Sequence, residues 1–183
     1  IDRLPPEDKR LLQTASVIGT HVPKSLLSAI AVMSDEELQR GLSSLQSAEF
    51  LYETNLFLER EFTFKHALTH EVTYGSLVQE RKRALHAAIA EAIEELAGDR
   101  LEEQVERLAH HAYEGAVWEK AANYLRQAGS KAVGRSAFRE ATEQLERALE
   151  ALSHLPETRE TIEQAIDVRL DLRSTVLITE EPS

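Results

Sequence analysis

Cysteine is absent from the sequence, which excludes disulfides, thiolate metal sites and cysteine nucleophiles. Aromatic residues make up only 5%, so a core has to be built mainly from Leu, Ala, Ile and Val. Methionine occurs once, at Met33, and the chain opens at Ile1; we read it as a piece of a longer protein. No run approaches the roughly 20 apolar residues that span a bilayer. Asp2, Arg3, Glu7, Asp8, Lys9 and Arg10 crowd the N-terminus and leave no signal-peptide pattern. These absences point to a cytoplasmic chain with no membrane partner. Positive charge is also scarce: 21 Lys+Arg stand against 32 Asp+Glu, a net charge of -11. A general nucleic-acid binder needs a basic face to displace counterions, so nucleic acid is disfavoured as a partner. What is present, 42% hydrophobic and 29% charged residues over 183 positions, suits a folded chain of one domain or two small ones.

Pro5 and Pro6 followed by Glu7 and Asp8 form a helix-start signal, and Leu11, Leu12, Ala15 and Ile18 keep helical spacing up to Gly19. A second short helix follows Pro23. Ser34 and Glu37 form a capping box, and Leu38, Leu42 and Leu45 give the third helix its buried face. Residues 49–54 and 60–65 alternate and carry the aromatics, which predicts a β-hairpin with residues 55–59 as its loop. Three helices and a hairpin are the order of a winged-helix domain, an assignment made partly by fold analogy. From His66 on the pattern is helical: a long stretch ending near Gly98, then helices over about 101–114, 118–135, 138–152 and 156–177. The predicted organisation is an arm over 1–97, a helical array over 98–178 and a frayed tail over 179–183.

An internal echo marks the array. Trp118, Ala121, Leu125 and Ala128 recur 20 residues later as Phe138, Ala141, Leu145 and Ala148. Small residues let helices approach closely while large ones fill the space alongside. With Gly129 on the first helix, this resembles a tetratricopeptide repeat over about 122–155. The fold class expected is therefore mainly α: a winged-helix-like domain with a small hairpin, then a tetratricopeptide-like antiparallel array.

Candidate chemistry is sparse. Residues 19–25 glance at a phosphate-binding loop, but Pro23 replaces the glycine required before the lysine and offers no amide N–H. His66 and His70 stand at i and i+4, the spacing of two metal ligands on one helix face, yet no third ligand has helpful spacing. Arg81, Lys82 and Arg83 read first as a solvated face and second as a contact for an acidic partner domain. A DNA-reading third helix would present Asp35, Glu36 and Glu37 to phosphates, which repel them.

Taken together, residues 1–6 (IDRLPP), 12–19 (LQTASVIG), 62–77 (FTFKHALTHEVTYGSL), 81–86 (RKRALH) and 104–111 (QVERLAHH), with 118–129 (WEKAANYLRQAG), are similar to the middle of large bacterial signalling proteins. Those proteins join a class III adenylate/guanylate cyclase to a STAND-type AAA ATPase followed by tetratricopeptide repeats. The resemblance covers nearly the whole chain and falls after the ATPase core. It implies that His66, with Lys65, senses the phosphate of ATP or ADP, with Mg, bound elsewhere in the parent. It also implies no catalytic residue and no cofactor in this piece, and as partners the ATPase core, a protein or ligand on the array, or a sister chain. The expected function is a non-catalytic regulatory and interaction module. The alternatives are a DNA-binding regulator of STAND type and a metal-dependent enzyme using His66 and His70.

Overall fold

A computed structural model describes residues 4–56 and 59–180. They form a mainly helical structure with one small sheet, divided into two compact units, Ile1–Leu96 and Ala97–Ser183.

In the first unit, α1 (Pro6–Ile18) starts with proline in its first turn, where the missing N–H costs nothing, and with Glu7 and Asp8 favouring the positive helix end. It stops at Gly19, whose φ of 135° excludes most side chains. Strand β1 (His21–Pro23) and α2 (Lys24–Ile30) follow. Helix α3 (Asp35–Ser47) opens on the capping box: Glu37 N–H donates to the Ser34 hydroxyl, and Ser34 N–H donates to the Glu37 carboxylate at 2.8 Å. At Gly41 an added Cβ would stand 2.8 Å from Leu11 Cδ2, so the glycine sets the close approach of α3 to α1.

Strands β2 (Leu51–Leu56) and β3 (Glu59–Phe64) complete an antiparallel sheet of order β1-β3-β2. Val22 pairs with Phe62 and Leu51 with Phe64, and all four are buried. With Leu11, Leu12, Leu27, Leu38, Leu42 and Leu45 they make the core of this unit. Each such side chain contributes about 1.5–3 kcal/mol of burial. Two expectations need correction. The ladder runs on to Leu56 opposite Glu59, so Asn55, Leu56 and Glu59 of the expected loop belong to the strands, and residues 57–58 lie outside the described residues. Strand β1 is an addition: its three residues carry no alternation of their own, and only pairing with β3 makes them a strand.

The long helix expected from His66 to Gly98 is two helices, α4 (Ala67–Gly75) and α5 (Gln79–Ala97). Side-chain bonds of Ser76 mark the break. The Ser76 hydroxyl donates to Thr73 O at 2.6 Å and accepts from Gln13 Nε2 at 3.0 Å, side-chain bonds that compete with helix continuation.

The second unit stacks α6 (Val105–Glu114), α7 (Trp118–Gly134), α8 (Phe138–Ser153) and α9 (Arg159–Glu180) in sequence order, each on the next. The helix expected over 101–114 is shortened, because residues 98–104 form a 3-10 segment whose Arg100 is non-helical. Asp99, Arg100, Glu102 and Glu103 are exposed there and offer no apolar face to hold α geometry. Helix α9 starts at Arg159, later than the expected 156. Thr161 N–H donates to Thr158 Oγ1, and Thr158 N–H donates to Thr161 Oγ1. Residues 179–180 belong to α9 rather than to a tail, and 181–183 lie outside the described residues.

The 20-residue echo extends further than the aromatic and alanine positions. Val105, Leu125 and Leu145 are buried, as are Leu108, Ala128 and Ala148. The α6–α7 and α7–α8 turns repeat as well. Ala116 and Ser136 take φ of 56° and 62°. Val117 N–H donates to Ala112 O and Ala137 N–H to Ala132 O, both at 2.9 Å. Gly129 lets α8 come close: a Cβ there would stand 2.9 Å from Leu145 Cγ.

Candidate functional site

Lys65 follows the end of β3, and His66 is the N-cap residue of α4, extended at φ -134° and ψ 132° with no side-chain cap bond. Both side chains are exposed. Lys65 is not idle: its Nζ stands 2.6 Å from Glu49 Oε1. Glu49 occupies the turn after α3 with a left-handed φ of 60°. The Lys65 hydrogen bond and charge hold the Glu49 carboxyl below the usual carboxylate range, and the His66 charge adds to this. An incoming anion at Lys65 and His66 therefore competes with a carboxylate already in place.

His70, one turn on, faces inward. Its Nε2–H donates to Ser16 O at 2.9 Å, since a carbonyl can only accept. The ring packs edge-on to Phe64 with centroids 5.0 Å apart and stacks with Tyr74 at 6.4 Å. The Tyr74 hydroxyl lies 3.2 Å from Nε2 of the buried His86. The two histidines of the expected metal pair thus diverge in role, one exposed and one tied to backbone. Among the described residues neither belongs to a group of three potential ligands. In the basic triplet, Arg81 and Arg83 are exposed, whereas Lys82 Nζ sits 4.2 Å above the Tyr74 ring.

In the array, Ala121, Leu125, Ala128, Gly129, Ala141, Leu145 and Ala148 are buried, while Trp118 and Phe138 are half-buried. Trp118 stacks on His154 at 4.0 Å and meets Tyr113 edge-on at 5.7 Å; Arg147 covers the other ring at 4.1 Å. This cluster joins the end of α6, the start of α7 and the end of α8. Burial pushes the Tyr113 hydroxyl up, and its hydrogen bond to Glu150 adds to this.

Between α7 and α9 runs a groove of about 460 Å³, with Ala122, Leu152 and Val168 along its floor and Lys120, Asn123 and Gln164 beside them. Arg126 crosses it, its Nε 2.8 Å from Asp171 and its Nη1 3.2 Å from Asp167. Sequence reading missed Arg126, as it missed Glu49. Their partners lie 45 and 16 positions away in the chain, and no local spacing announces such pairs.

No protein-family model and no solved structure matches the chain. It is similar to an uncharacterized protein of Rhizobium meliloti (strain 1021), 26% identical over 151 residues that cover 82% of this chain. The match spans 15% of the length of that relative.

Proposed function

We propose that the chain is a non-catalytic regulatory and interaction module of a larger signalling protein. In this reading the first unit is a winged-helix-like arm held against a nucleotide-binding ATPase core, and the second is a tetratricopeptide-like surface for a protein or ligand. Binding on the array biases the arm between two positions, which requires that the ligand prefer one of them. The observation that carries the reading is the α6–α9 stack, with its recurring small-residue positions, its recurring turns and an open groove between α7 and α9. That is an architecture for recognising a partner.

On the arm, His66 and Lys65 are the groups for the phosphate of ATP or ADP, and Glu49 is the carboxylate such a phosphate displaces. The test is nucleotide exchange in the full-length polypeptide carrying His66→Ala. Exchange at the unmodified rate removes the sensing role. The DNA-binding reading meets an obstacle in α3, whose Asp35, Glu36 and Glu37 are exposed at its start. The metal reading meets another in His70, whose Nε2 is engaged by Ser16.

A further inference from the structure

The first unit holds an open cleft of about 500 Å³ between α1 and α3, with residues 32–33 as its lip. That volume is in the range of small-ligand sites. Asp8 lines it although the residue is only 6% exposed. Its Oδ2 accepts the Ser44 hydroxyl at 2.6 Å, which ties α1 to α3. Oδ1 is different. It has no hydrogen-bond partner among the described residues. It lies 3.5 Å from where a Cβ on Gly41, itself a lining residue, would stand. A structural role explains Oδ2 and leaves the acceptor capacity of Oδ1 to a group in the cleft.

The surroundings narrow the chemistry. Glu37 is committed to the Ser34 cap. Arg10 and Arg40 also line the cleft, so a bare cation with nothing else to offer meets a repulsion that no other contact offsets. They also offer donors to a ligand carboxylate or carbonyl. Val32 is fully exposed, and with Met33 it makes an apolar lip.

We propose that this cleft binds a guanidinium or ammonium group carried on an aliphatic stem, the cation on Asp8 Oδ1 and the stem along Val32 and Met33. A free basic amino acid and an Arg or Lys side chain of a protein segment share this chemistry. The inference stands apart from the regulatory reading above.

Calorimetric titration of the chain with L-arginine, and separately with N-acetyl-L-arginine amide, tests it. Saturable binding in the millimolar range is expected. Stronger binding of the free amino acid identifies a small-molecule source, and stronger binding of the amide identifies a protein side chain. Asp8→Asn keeps an acceptor for Ser44 and should weaken binding about tenfold or more, the scale of a charge-assisted bond. Val32→Ser leaves the core untouched and should weaken it about threefold through lost stem contact. The proposal is overturned if neither probe saturates by about 10 mM. It is also overturned if a folded Asp8→Asn protein binds as before or, where that variant fails to fold, if Val32→Ser changes nothing.

Discussion

At Glu49, Ala116 and Ser136 the backbone takes a left-handed φ near 60°, a conformation that costs an L-residue roughly 1–2 kcal/mol. At Glu49 the conformation accompanies the ion pair with Lys65. At Ala116 and Ser136 it serves only the turn, so glycine should be better tolerated there. Ala116→Gly and Ser136→Gly are each expected to stabilise the second unit by about 0.5 kcal/mol, read as a rise in the denaturant midpoint with unchanged slope. Glu37 gives a pH prediction. Its carboxyl is held below the usual range by the Ser34 N–H first, and then by the Ser34 hydroxyl. A depressed carboxylate contributes stability that is present above its unfolded value, near pH 4.3, and is lost as pH falls through the folded one. The stability gap between the unmodified chain and Glu37→Gln should therefore close on acidification. A gap that stays constant down to low pH contradicts the capping role.

Among the elements, α7 and α8 approach closely because Gly129 faces Leu145. Gly129→Ala should cost about 1–3 kcal/mol by overpacking, measured by chemical unfolding; Gly134→Ala, with open space around it, should not. The elements legible in the sequence were those whose signals are local. The proline and acids open α1, the Ser34 and Glu37 pair opens α3, and the small-and-large echo marks α7 and α8. Two of the misread features depend on partners far along the chain. Strand β1 exists through Phe62, and the break after α4 involves Gln13. The candidate site divides the same way. His66, Lys65 and the basic triplet could be named from sequence, whereas Glu49, Arg126 and the open oxygen of Asp8 emerge only when distant segments meet. At this scale α3 also makes a prediction: in a shift assay at about 150 mM salt, where phosphate contacts are strongly salt-dependent, the chain should leave duplex DNA unshifted. A tight, sequence-dependent shift favours the regulator reading.

Over the whole molecule, a net charge of -11 coexists with an exposed corner where the Lys65 ammonium, beside His66, is partly neutralised by Glu49. The proposed regulation turns on that corner, because an anion there must outcompete a carboxylate already bonded at 2.6 Å. Two substitutions move the balance in opposite directions. His66→Ala removes a donor to the phosphate, and Glu49→Gln removes the competitor. The most direct measurement is the ADP release rate of the full-length polypeptide with each substitution. The regulatory reading predicts that His66→Ala speeds release about tenfold, the scale of one charge-assisted hydrogen bond, and that Glu49→Gln slows it. Release rates that match the unmodified protein in both variants contradict it.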